Sequence, residues 1–298
     1  MTSSFAALKS NRKSSLEALI SETTKMTSGP GETRLDDNLW KPEVDKAGNG
    51  FAVIRFLPAP EGEDLPWVRI FNHGFQGPGG WYIEESLTTI NKKDPVSEHN
   101  SMLWNSGIES NKDLVRKQKR RLNYYANIYV VKDPSNPANE GKVFLYKFGK
   151  KIFDKLNEAM NPEFEDEKPM NPFDLWEGAN FKLKIRNVEG YRNYDKSEFD
   201  SPSALLDDDG ELEKIWKSEN SLQEFLDPKN FKSYDELKAK LNRVLGLDGS
   251  SGSTTKADEI EIESAPAQKA APAPSFASST DDDDDDSMSF FEKLAADD

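Results

Sequence analysis

From about residue 36 the chain breaks into short runs whose apolar residues recur at every second position. Phe181, Leu183 and Ile185 alternate with Lys182, Lys184 and Arg186, the period of a strand with one buried face. Residues 51–57 follow a Gly48-Asn49-Gly50 turn and end at Pro58. Segments 67–71, 81–84, 124–131 and 143–148 read similarly, and 132–142, with Pro134, Pro137 and Gly141, reads as a loop between two strands. Gly77-Pro78-Gly79-Gly80 is a turn signal between two of the runs. Helical spacing interrupts this pattern twice. Residues 150–160 set Ile152, Phe153, Leu156 and Met160 on one side and stop before Pro162, while Ser233-Tyr234-Asp235-Glu236 caps a helix carrying Leu237, Leu241, Val244 and Leu245. The predicted fold class is mostly β with helical insertions (α+β), and a small barrel fits this pattern.

The two ends are unlike the middle. Residues 1–30 read as an arm: Ser14 to Glu17 fits a capping box, Leu16, Leu19 and Ile20 share a helical face, and Thr27-Ser28-Gly29-Pro30-Gly31 is a breaker. After Gly246 the chain turns Gly/Ser-rich, then Ala/Pro-rich, then polyaspartate. Such a segment has too little apolar surface to offset its ordering entropy, so 247–298 is expected to be a disordered linker and acidic tail. The body is 31–246.

Charge changes the picture. The 298 residues hold 39 Lys+Arg against 54 Asp+Glu, a net −15, which taken alone argues against a nucleic-acid binder. The average hides two regions. Residues 251–298 carry thirteen acids and three bases, a balance of −10, whereas 112–151 carry eleven bases and three acids, a balance of +8. Absence of Cys excludes disulfides, thiolate zinc ligation and thiol catalysis, and two His leave little for a metal centre. No apolar run nears 18 residues and the N-terminus lacks a signal-peptide stretch, so a soluble intracellular protein without a membrane partner is expected. There is no Walker loop, G-x-G-x-x-G, G-x-S-x-G or H-E-x-x-H, and no catalytic residue is assigned.

The basic run has the composition of a single-strand groove. Arg116-Lys117-Gln118-Lys119-Arg120-Arg121 leads into Tyr124-Tyr125, and Tyr146, Lys147 and Phe148 follow. Cations neutralise phosphates and aromatic faces stack unpaired bases at about 1–3 kcal/mol each. Alternation sends about half of such aromatics into the core, and a solvated basic face is the competing reading. The tail ends with six Asp and then Phe290, Phe291 and Leu294. It reads either as a solubilising spacer or as a segment that competes with phosphate and docks on a protein partner.

Several blocks resemble the single-stranded DNA-binding, helix-destabilising proteins of T-even-type bacteriophages. They are Asp45 to Gly50 with Ala52 to Pro58, Asn72-His73-Gly74-Phe75, Trp81-Tyr82-Ile83-Glu84, Tyr125 to Ile128 with Val130 to Pro134, Asn139 to Phe144, Phe148 to Ile152, and Trp176 to Phe181. They run in order over roughly residues 36–200. The resemblance implies an OB-fold core with a small subdomain around 62–123, a flexible cooperativity arm and an acidic partner-binding tail. By position it implies DNA contacts from Lys119, Arg120, Arg121, Tyr124, Tyr146, Tyr191, Tyr194 and Trp81, to which the basic run adds Arg116 and Lys117. Arg12-Lys13-Ser14-Ser15 fits the family's cooperativity motif, which implies self-association along DNA. Phe290, Phe291 and Leu294 fall in the tail that contacts phage replication, recombination and repair proteins, in the cytoplasm of the infected host cell. Two departures stand out. Lys119-Arg120-Arg121 is followed by Leu122-Asn123 rather than Thr/Ser. The family's zinc site uses one His and three Cys; His73 holds the His position, but residues 85–103 offer only Ser86, Asp94, Ser97 and His99, so no cofactor is expected. An acidic scaffold that recruits replication proteins, or a single-stranded RNA-binding regulator, is the alternative.

Overall fold

A computed structural model describes residues 38–164 and 166–247. The arm motif Arg12, Lys13, Ser14 and Ser15 and the tail residues Phe290, Phe291 and Leu294 lie outside the described residues. The chain divides into two units, Met1–Trp40 and Lys41–Asp298. The described part of the first holds one short strand, β1 (Leu39–Trp40).

The second unit holds β2 (Gly50–Phe56), β3 (Val68–Gly77), β4 (Gly80–Glu85), β5 (Arg121–Lys132), β6 (Val143–Phe148), β7 (Phe181–Val188), β8 (Tyr191–Asn193) and β9 (Glu198–Phe199). Its strands run β6-β5-β2-β7-β8, with β3 joined to β5 and β4 and β9 joined to β7. Each of these pairings is antiparallel. The 12-residue β5 carries the layout: its first half pairs with β3, its second half with β2, and β6 runs along its other edge. The strand alternation read from the sequence therefore sets the sheet, with β6 at the expected bounds, β7 covering the Phe181 to Arg186 alternation, and β3 running past residue 71 through His73.

Among the described residues five helices interrupt the strands: α1 (Pro95–Asn105), α2 (Glu109–Gln118), α3 (Lys150–Met160), α4 (Asp209–Lys217) and α5 (Tyr234–Leu245). Helix α3 has its expected bounds, and α5 opens with the expected capping box and ends at Gly246 in the left-handed region, φ 70°. Helices α1, α2 and α4 carry mostly polar sequence, which hid their period. The domain is a large sheet with helices of comparable weight, so the expectation of a mostly β body understates them.

Ile54, Phe56, Leu57, Ile128, Leu145 and Leu183 are fully buried, each contributing about 1.5–3 kcal/mol by leaving water. The Phe56 ring is the hub, with Phe148, Phe173 and Phe181 centred 5.5–5.8 Å away. Arg55, next to it, is also fully buried. Its Nη2 donates to the carbonyls of Asp174 (3.1 Å) and Ser203 (2.6 Å), tying two loops to β2.

A second cluster sits between the β3–β4 hairpin and the helices: Phe75, Tyr82, Leu87, Val96, Leu237, Leu241 and Val244. The hairpin tip presses on the end of α5, where Gly79 N–H donates to the Val244 carbonyl at 2.8 Å. A Cβ on Gly79 would fall 2.0 Å from the Arg243 oxygen, so only glycine allows this approach.

Candidate nucleic-acid interface

Strand alternation gives the β3–β4 hairpin two unlike sides. His73, Phe75 and Tyr82 are buried toward the helices. The opposite side presents Trp81 (52% exposed) and Ile83 (64% exposed), with Trp81 paired to Gln76 and Ile83 to Gly74. Arg121 begins β5 opposite Asn72 and reaches along this same side, its Nη1 3.7 Å from the Cβ position of Gly74. The guanidinium lies over Gly74, the strand partner of Ile83. A cation, an indole and an aliphatic side chain thus share one solvent-facing surface.

Arg120 turns the other way. Its guanidinium stacks 3.9 Å from the Phe71 ring and donates to Thr88 Oγ1 at 2.7 Å. Burial lowers its pKa, opposed by the nearby Asp94 carboxylate. Arg116 pairs with Glu109 (3.3 Å) and Asp113 (2.6 Å) on α2, and Lys117 is exposed in the last turn of that helix, where positive charge suits the dipole. Lys119, half-buried, caps α2 just before β5. The basic run is contiguous in sequence yet points in several directions.

The tyrosines also divide. Tyr124 is buried, stacked 4.0 Å from the Phe153 ring of α3 and 5.7 Å from Phe148. Tyr146 is buried too, 5.5 Å from Phe148; burial pushes its hydroxyl pKa well up, Tyr194 adds to this, and Arg192 opposes it. These effects bring Tyr146, Arg192 and Tyr194 into one neighbourhood. Tyr191, 41% exposed, opens β8 after a Glu189-Gly190 turn in which both residues have positive φ, the geometry of a tight hairpin. Arg186 grips Asp195 through Nε (2.8 Å) and Nη2 (2.5 Å), pinning the chain just beyond Tyr194. Lys147, part of the basic and aromatic run, lies 5.6 Å over the Tyr125 ring, and Arg192 and Arg69, not singled out from the sequence, lie near these groups. Each is a single base in a strand, and only strand pairing reveals its neighbours.

The metal expectation can be tested on the residues around His73. Asp94 caps α1 by accepting from Val96 N and Ser97 N, both at 3.0 Å, and accepts from Ser86 Oγ (3.0 Å) and Leu87 N (3.1 Å). His73 Nε2 lies 3.3 Å from the same carboxylate, and His73 Nδ1 donates to the Gln118 carbonyl at 3.0 Å. Burial raises the Asp94 pKa, but His73 and the backbone donors outweigh it and hold the carboxyl at about 2. The Asp94 oxygens are spent on backbone and hydroxyl donors, whereas His73 Nε2 is buried without a hydrogen-bond partner, and among the described residues no group of three or more His, Asp or Glu is placed to hold a metal. The donor set does not fit zinc. Also among the described residues, no helix is long and apolar enough to cross a membrane.

A family model described as "gp32 DNA binding protein like" matches residues 48–245. The chain is 41% identical over 262 residues to the single-stranded DNA-binding protein of Enterobacteria phage T4, covering 84% of this chain and 85% of that protein. The identity to the corresponding protein of Enterobacteria phage T2 is also 41%, over 263 residues, with the same shares covered. A further similarity, 41% over 91 residues, is to the single-stranded DNA-binding protein of Escherichia phage SV14, covering 30% of this chain and 80% of that one. The family match extends past the sequence blocks, which stop near residue 200, to the end of α5.

Proposed function

Since the chain belongs to the gp32-like family of DNA-binding proteins, we propose that it is a phage single-stranded DNA-binding protein acting in DNA replication, and that the outer side of the β3–β4 hairpin is part of its DNA site. The observation that carries the site is the shared exposure of Trp81, Ile83 and Arg121 on one surface. Unpaired bases stack on such a surface while phosphates meet the cation, and neither contact depends on base identity. Lys119, Lys117 and Arg116 extend the positive field around it, and Tyr191, Tyr194 and Arg192 offer a second contact region on β8. Tyr124, Tyr146 and Arg120 support these surfaces from beneath in this conformation. The sheet order, with β5 pairing first with β3 and then with β2, supports reading 31–246 as an OB-type core and the hairpin with α1 and α2 as a subdomain around 62–123.

The mechanism is preferential binding: coating unpaired strands shifts the duplex equilibrium toward melting without ATP. In this reading residues 1–30 link neighbouring protomers through Arg12, Lys13, Ser14 and Ser15, and residues 247–298 recruit replication, recombination and repair proteins through Phe290, Phe291 and Leu294. The test is a titration of fluorescent single-stranded DNA, duplex DNA and RNA at several salt concentrations. Tight, salt-sensitive, cooperative binding to single-stranded DNA is the expected result. No binding would leave an acidic recruiting scaffold, and equal affinity for RNA would broaden the substrate class.

A further inference from the structure

On the helix side of the hairpin, where Ile90, Phe231 and Tyr234 pack against the Phe75 and Tyr82 cluster, lies a cavity of about 670 Å³. Sites that take small organic groups run to roughly 300–1,000 Å³. Phe231 and Tyr234 are half-buried, so their rings are reachable from solvent. The cations in the lining are Lys92, Lys93 and Lys232, all exposed. Glu98, in the same lining, accepts from the Tyr234 hydroxyl at 2.5 Å, a bond that pushes the tyrosine pKa up to about 12 and fixes the ring. A further cation, Lys238, stands 5.6 Å over that ring. Aromatic rings and an excess of lysines therefore meet in one concave place.

The pairing has the chemistry that an unpaired nucleotide requires: a ring for the planar base and ammonium groups for the phosphates. We propose that this cavity is a second single-stranded DNA contact, holding a base against Phe231 and Tyr234 and its flanking phosphates on Lys92, Lys93 and Lys232. The proposal rests on the DNA-binding reading above and extends the site to the reverse side of the hairpin. Cations continue around the β4 edge between the two sides. Lys240 of α5 donates to the Ile83 carbonyl at 3.2 Å, and Lys232 reaches Glu84, the next residue, at 2.5 Å. A strand leaving Trp81 and Ile83 crosses this edge over Lys240 and Lys232 to enter the cavity. The hairpin is then held between two contacts on one strand, one on each side. An acidic protein segment would match the charge as well, but the hollow has the volume of a nucleotide and the lysines the flexible reach that suits phosphate.

The test uses the full-length chain and a single-stranded oligonucleotide carrying 5-iododeoxyuridine, which on irradiation crosslinks to the aromatic side chains its base touches. Crosslinks are expected at Phe231 or Tyr234 in addition to the hairpin's outer side at Trp81. In Lys92→Ala/Lys93→Ala, which alters only exposed side chains, the crosslinks at Phe231 and Tyr234 should be lost while those at Trp81 persist. The slope of log K against log salt should fall by about 1.4 in that variant, the share of two phosphate contacts. Crosslinks at Trp81 or Tyr191 with none at Phe231 or Tyr234 would overturn the cavity contact and leave the DNA-binding reading standing; that is the result if the cavity takes an acidic protein segment instead. An oligonucleotide that is neither bound nor crosslinked anywhere would overturn the DNA-binding reading itself. Crosslinks at Phe231 or Tyr234 that survive the double substitution with an unchanged slope would overturn the role of the lysines and the proposal with it.

Discussion

The Asp94 carboxylate lies 3.3 Å from the His73 ring, and both residues are buried, 2% exposed each. The pair joins β3, the turn at Ser86 and Leu87, the start of α1 and, through the Gln118 carbonyl, the end of α2. Hydrogen bonds here join the elements that a metal would otherwise hold together.

Asp94→Ala removes the α1 cap and leaves buried donors without an acceptor, so a loss of about 3–5 kcal/mol is expected. Thermal unfolding measures it. The midpoint of the unaltered protein should be the same with a chelator or with added zinc; a chelator-dependent fall would show that a metal, not Asp94, holds this region.

Arg121 and Arg120 are adjacent yet face opposite sides of the hairpin. Arg121→Ala should weaken single-strand binding and reduce the slope of log K against log salt by about 0.7, the share of one phosphate contact. Trp81→Ala should cost about 1–3 kcal/mol of affinity with little change in that slope. Arg120→Ala should instead lower stability, because it vacates the Phe71 face and the Thr88 bond. If Arg120→Ala changed the salt slope as Arg121→Ala does, the assignment of sides would be wrong.

Glu219 has no hydrogen-bond partner for either carboxylate oxygen, and burial, with Glu63 nearby, pushes its pKa to about 9 from an ordinary 4.5. A carboxyl raised on folding stabilises the native state fully below the unfolded value, and that contribution is lost as pH climbs from about 4.5 toward 9. Glu219→Gln keeps the shape and removes the titration. Partial exposure of the side chain screens the effect, so the variant should gain about 1–3 kcal/mol at pH 8 and nothing near pH 4.5. Urea unfolding at the two pH values tests this, and an equal change at both would contradict it.

Truncations separate the two ends. Removing residues 1–25 should reduce cooperativity along a long oligonucleotide much more than affinity for a single-site one. Removing 251–298, which carries −10 of the net charge, should strengthen DNA binding or speed duplex melting through relief of repulsion. Equal loss of cooperativity and affinity in the first case, or no change in the second, would remove those roles.

The sequence by itself determined the strands with one buried face, because alternation such as Phe181-Lys182-Leu183 has a single solution on a sheet. It also determined α3 and α5, whose apolar stripes are local, as is the capping box of α5, and the segregation of charge into a basic middle and an acidic end. The family was legible in ordered blocks of residues. Helices α1, α2 and α4 were not, since their polar sequences acquire a buried side only by packing against the hairpin or the sheet. Tertiary structure also decided which members of the basic and aromatic run face solvent. Tyr124 went inward because Phe153 of α3 and Phe148 of β6 stack on it, Tyr146 because it packs beside Phe56 and Phe148, and Arg120 and Arg121 parted because one guanidinium stacks on Phe71 while the other lies over Gly74. Facing direction depends on which strand lies alongside, and that partner is distant in sequence.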